Sequence, residues 1–158
     1  MTGLGLALTA ALLAGLAGLA ADARTCAPAV RALRLEHAAG IAVRAWTCLD
    51  VSREARAQGV EPTLAVAVAW HESRFDAVAE SSMGARGPMQ VIPRWWCPRG
   101  TAEGCDLTAA GVAALRSYLA QHDGPAAGLC AYNAGNKCGP RGRRYAEAVL
   151  ASARRWGG

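Results

Sequence analysis

Residues 65–75, AVAVAWHESRF, decide how the rest of the chain is read. From residue 64 to residue 70 no side chain is charged, and only the Trp70 indole N–H can hydrogen-bond; His71, Glu72 and Arg74 then arrive together. Glu61-Pro62 opens a helix, since proline suits a first turn, and that helix should run to about Arg74. On a regular helix Ala65, Val68 and Ala69 lie seven, four and three positions before Glu72, so Glu72 continues the apolar stripe. A carboxylate on that stripe is partly desolvated, which raises its pKa. A raised acid suits general-acid chemistry at neutral pH. The bland alternative is a glutamate that swings out at a frayed helix end or pairs with Arg74.

Working outward, the 158-residue chain has room for one domain with a sizeable core. Hydrophobic residues make up 53%, inflated by alanine, and aromatics only 6%, which favours helix packing over a β-sandwich. Lysine and arginine total 17, of which only Lys137 is lysine, and the net charge is +5. Such a balance favours anionic partners: nucleic acid, a membrane surface or a polyanionic envelope polymer.

Residues 1–23 read as a secretory signal peptide: an apolar stretch over 4–20, then Ala21-Asp22-Ala23 as an A-x-A site. A retained membrane anchor is the alternative, because such a length can just span a bilayer, and a buried N-terminal helix is a third. All six cysteines (Cys26, Cys48, Cys97, Cys105, Cys130 and Cys138) follow this segment. An even number in an exported chain implies disulfides. Cys97 to Cys105 and Cys130 to Cys138 share one short spacing, so local staples plus Cys26–Cys48 are the economical pairing, among 15 that six cysteines allow. With no C-x-x-C and no histidine at ligand spacing, neither a metal nor another cofactor is expected. Export and paired cysteines argue against a nucleic-acid role and place the protein in the periplasm or cell envelope, touching membrane only through an uncleaved N-terminal segment.

Helical signals dominate the remainder, residues 24–158. Helices are expected over 43–57, 62–74, 106–121, 126–132 and 143–155. Residues 79–100 carry glycine and proline punctuation and read as loop, with room for a short helix. No segment alternates with period two. The expected class is mostly α, a single domain stapled by disulfides.

The motifs come in a fixed order. Glu72-Ser73-Arg74-Phe75 is followed by Gly87-Pro88-Met89-Gln90, then by Ala131-Tyr132-Asn133-Ala134-Gly135, then by Tyr145 in the last helix. In these four elements, across residues 72–145, the chain resembles the soluble lytic transglycosylases, which carry E-S-x-F, G-x-M-Q, A-Y-N-A-G and a later tyrosine on a lysozyme-like fold. The resemblance implies cleavage of the β-1,4 bond between N-acetylmuramic acid and N-acetylglucosamine in peptidoglycan, leaving 1,6-anhydromuramic acid ends. It maps the single catalytic carboxylate, acid and then base, onto Glu72. It maps substrate contacts onto Ser73, Gly87, Met89, Gln90, Tyr132, Asn133 and Tyr145. Help at the anomeric centre would come from the substrate's own acetamido group, one of the exceptions to the two-carboxylate rule.

Each residue also has a plainer reading. Ser73 supports the helix end near Glu72. Gly87 lets backbone approach a sugar, and Gln90 offers an amide to acetamido or hydroxyl groups. Met89 is a cleft wall or a core methionine. Asp76 is a turn residue rather than a second carboxylate, and Glu80 is a loop residue. Pro88 stands where the family commonly has leucine and lacks a backbone N–H. One of Trp95 and Trp96 is a candidate sugar platform. His71 packs. Arg141, Arg143, Arg144, Arg154 and Arg155 form a solvated basic face. A goose-type lysozyme-like muramidase and a non-catalytic peptidoglycan-binding assembly factor are the rival functions. The small size points to localised cutting by a monomer, for a secretion, conjugation or phage apparatus.

Overall fold

The computed structural model describes residues 3–33, 40–135 and 137–157, with side chains from residue 11 onward. Met1 and Thr2 of the expected leader, and 34–39, 136 and 158 of the expected domain, lie outside the described residues. Among the described residues seven helices follow in order: α1 (Gly3–Arg31), α2 (Ile41–Ala57), α3 (Pro62–Ser73), α4 (Pro93–Trp96), α5 (Leu107–Gln121), α6 (Pro125–Ala134) and α7 (Pro140–Gly157). Strand pairing among the described residues is limited to isolated bridges, Glu80 with Arg86 and Arg86 with Val91. The mostly α expectation holds.

The apolar run becomes the axis of the molecule. Glu61 caps α3 through its carboxylate, which accepts from the Thr63 and Leu64 amides, and Pro62 fills the first turn. Leu64, Ala65, Val66, Ala67, Val68 and Ala69 are all buried. The expectation of a one-sided stripe therefore understates the burial. α1, α2 and α7 all pack on α3, and a helix surrounded by neighbours is apolar all round. The abundant alanine fits this, since a small side chain lets three helices approach one axis.

Around that axis α6 packs on α7 and α5, and α5 also meets α2. On α7 the buried residues Gly142, Ala146, Val149 and Trp156 recur at helical spacing. Asp106 caps α5 by accepting from the Thr108 and Ala109 amides. Disulfides join Cys26 to Cys48, Cys97 to Cys105 and Cys130 to Cys138. The first ties α1 to α2, the second closes the loop between α4 and α5, and the third braces the α6–α7 connection. The expected leader boundary after Ala23 falls inside α1, which continues through Pro28 to Arg31.

Candidate active site

Glu72 sits in the last turn of α3, where the chain reverses sharply. Arg74 and Phe75 both adopt positive φ, 56° and 63°, conformations that non-glycine residues hold only when their surroundings insist. Phe75 is fully buried and is one of the largest side chains in the core. Arg74 stacks its guanidinium 3.5 Å from the Trp70 ring centroid and donates to the Trp70 carbonyl. Helix and loop are thus pinned on both sides of the reversal, and Glu72 is held just before it.

The glutamate is partly exposed, and its Oε1 accepts a 2.6 Å hydrogen bond from the Tyr145 hydroxyl of α7. Burial pushes its pKa up from 4.5 to about 6, and the Tyr145 hydrogen bond works against part of that rise. Burial, followed by the nearby Glu72 charge, holds the Tyr145 and Tyr132 phenols well above their usual range. Both phenols are hydrogen-bond donors at neutral pH.

Ser73 connects this helix end to the GPMQ loop. Its hydroxyl donates to the Pro88 carbonyl at 2.8 Å and accepts from the Asp76 amide at 3.0 Å. The Met89 carbonyl accepts from the Tyr132 hydroxyl at 2.6 Å. One loop is therefore fastened to α3 and to α6 through consecutive carbonyls. Gln90 also has positive φ, 51°. Its side-chain amide donates to the Ala79 and Gly87 carbonyls, which fixes the orientation of the side chain.

The remaining motif residues take distinct places. Met89 is fully buried and lies over Gly111, where an added Cβ would come within 2.6 Å of the Met89 Cβ. It supports the loop from below. At Gly87, φ is +76° and a Cβ would lie 2.7 Å from the Cβ of Leu107, so close packing of loop on α5 requires glycine there. Asn133 is exposed at the end of α6. It shares a cavity of about 260 Å³ with Gln90, Trp95, Trp96, Tyr118 and Tyr132. Trp96 packs against Tyr118, which meets Tyr132 edge-on, whereas Trp95 is 69% exposed.

The acids near Glu72 are otherwise engaged. Asp76 pairs with Arg44 at 3.3 Å and accepts from the Val78 amide, and Glu80 pairs with Arg86 at 2.6 Å. His71 contacts the Ser152 hydroxyl at 3.0 Å, and burial lowers its pKa. Among the described residues no group of three or more His, Cys, Asp or Glu side chains could hold a metal. The five arginines of α7 are exposed.

Two positions have no place in the sequence reading. Arg44 of α2 donates to the Ser73 and Arg74 carbonyls, at 3.2 and 2.6 Å, while pairing with Asp76. It satisfies carbonyls that a helix end leaves orphaned. Its partners lie about thirty residues away in the chain, so no local signal marks it. Gly111, which seats Met89, did have a signal: a lone glycine inside a helical pattern points to a packing constraint.

The family model described as "Transglycosylase SLT domain" matches residues 51–153. A search of curated proteins gives no match. Among solved structures, the chain is similar to an inactive mutant of the lytic transglycosylase Slt from Pseudomonas aeruginosa, with a TM-score of 0.58 and 23% identity. The match covers 68% of this chain and 23% of that one, so this chain spans about a quarter of its length. At that identity the likeness establishes a common fold, the lysozyme-like one.

Proposed function

Since the chain belongs to the transglycosylase SLT domain family, we propose that it is an exported peptidoglycan lytic transglycosylase in which Glu72 is the acid and then the base. Glu72 itself carries the reading: one carboxylate with its pKa raised to about 6, fixed by Tyr145, while Asp76 and Glu80 are paired with arginines. A protonated Glu72 donates to the oxygen bridging muramic acid and glucosamine as positive charge develops at the anomeric carbon. The substrate's acetamido group supports that carbon. The Glu72 carboxylate then removes the proton of the muramoyl 6-hydroxyl, whose oxygen closes the 1,6-anhydro ring. Gln90, Asn133 and the Tyr132 ring line the glycan path. Three disulfides support an oxidising, extracytoplasmic location.

Reducing-end analysis of digested sacculi tests this. Soluble fragments without new reducing muramic acid ends are expected; one new reducing end per cut identifies a hydrolase and overturns the proposal.

The pH dependence follows from the acid role. Since Glu72 must start protonated, kcat/KM should fall about tenfold per pH unit above about 6. Tyr145→Phe removes the hydrogen bond that lowers the Glu72 pKa, so the falling limb should move to higher pH while kcat drops. An unmoved limb separates Tyr145 from Glu72 titration.

Trp95 offers an exposed ring on the same cavity. Trp95→Ala should raise KM on glycan strands about fivefold, the equivalent of about 1 kcal/mol of ring burial against sugar, with kcat nearly unchanged. Steady-state kinetics on soluble glycan chains would show an unchanged KM if the ring faces only solvent.

A further inference from the structure

We propose that the exported chain is cut between Ala20 and Ala21, leaving Asp22 as a structural residue of the mature domain. The proposal rests on the export reading above and on two observations outside the active site.

The first is where burial begins along α1. Leu12, Leu13, Leu16 and Leu19 are 54–67% exposed, whereas Asp22, Cys26 and Ala29 are 0–4% exposed. These three buried residues are spaced by four and three, which is one face of a helix. Asp22 is the first of them. The leucines over residues 11–20 are thus unpacked, and the packed part starts at a carboxylate.

The second is what Asp22 does. Its Oδ1 accepts from the Ser52 hydroxyl and from Arg56 Nη2, both at 2.6 Å, and its Oδ2 accepts from Arg56 Nη1 at 3.1 Å. Ser52 is fully buried. A cut after Ala23, at the A-x-A triplet, would carry Asp22 away. The Ser52 hydroxyl would then lose its carboxylate acceptor, and Arg56 would give up both of its bonds to the carboxylate.

A cut after Ala20 keeps these bonds and meets the same enzymatic requirement. It places Gly18 and Ala20, both small, where an export signal peptidase needs small side chains, and Leu19 and Ala20 are exposed. One water hydrolyses the Ala20–Ala21 peptide bond, giving its hydroxyl to the Ala20 carboxyl and a proton to the new Ala21 amine. Asp22 then lies in the first turn of the shortened helix, where a carboxylate offsets orphan N–H groups and the positive end of the dipole. The Thr25 hydroxyl still holds the Ala21 carbonyl at 3.1 Å. Removing residues 1–20 does take away the long hydrogen bond, 3.4 Å, from Arg56 to the Gly18 carbonyl, which is exposed to water.

The full chain, expressed in a bacterial host that exports it, tests the assignment by N-terminal sequencing and intact mass. The mature protein should begin at Ala21; any other first residue, or an uncut chain, overturns the proposal. Ala20→Gln should leave the leader attached and Ala23→Gln should be processed like the parent, whereas the reverse pattern places the cut after Ala23. Product analysis on sacculi does not depend on which bond is cut, so either reading can fail without the other.

Discussion

Glu72→Gln is expected to lower kcat/KM on purified sacculi by about 10³-fold or more while leaving the fold intact. General acid–base groups contribute roughly 10²- to 10⁴-fold each, and under the proposed mechanism one residue serves both steps. The amide keeps the shape and can still accept from Tyr145, whose hydroxyl lies 2.6 Å from Glu72 Oε1, so the loss reads the proton rather than the geometry. Stability should move the other way. Because the folded-state pKa of Glu72 is raised from 4.5 to about 6, its contribution is fully present below pH 4.5 and is lost as pH rises through 6. That difference corresponds to about 2 kcal/mol. Glu72→Gln does not titrate, so it should unfold several degrees above the parent at pH 7 and alongside it at pH 4. Equal activity in the two proteins would remove Glu72 from the mechanism; equal melting at pH 7 would show that the carboxylate is well solvated.

The second large effect is structural and sits under the GPMQ loop. Gly87→Ala should cost about 2–4 kcal/mol, combining a strained positive φ with an overpacked contact. A methyl group at this position would stand 2.7 Å from the Cβ of Leu107 and 3.1 Å from its Cδ1. The same residue's carbonyl accepts from both the backbone and side-chain amides of Gln90, so a displaced Gly87 moves Gln90 and activity should fall at temperatures where the variant is still folded. Gly84→Ala is the internal control. Gly84 also has positive φ, 79°, but nothing lies within 4 Å of its added Cβ, and it should cost only about 1 kcal/mol. Thermal unfolding of the two side by side separates clash from φ; coincident melting would dismiss the Leu107 contact.

The helices were legible because their boundaries carry local chemistry. Asp106 and Glu61 are caps, and Pro62 starts a helix, as its fixed φ and missing N–H favour. What was not legible is long-range. α3 reads as a striped helix yet is buried all round, because one sequence cannot say how many neighbours a helix will have. Proline reads as a helix boundary, but α1 passes through Pro28, where the Cys26–Cys48 bridge and the buried Ala29 hold it in place. At the site, the motif spacing nominated Glu72 and its companions, whereas the clamp by Arg44 and the seat at Gly111 depend on which helices become neighbours. The positive φ of Arg74, Phe75 and Gln90 is equally invisible, since none of these residue types announces a left-handed turn.

In the proposed mechanism the muramoyl 6-hydroxyl, and not water, attacks the anomeric carbon. Digestion of purified sacculi in water enriched in heavy oxygen, followed by mass spectrometry of the released fragments, reads the attacking oxygen directly. Muramic acid ends one water lighter than hydrolysed ones, and free of label, are expected. Full-mass ends carrying one labelled oxygen per cut would contradict the mechanism.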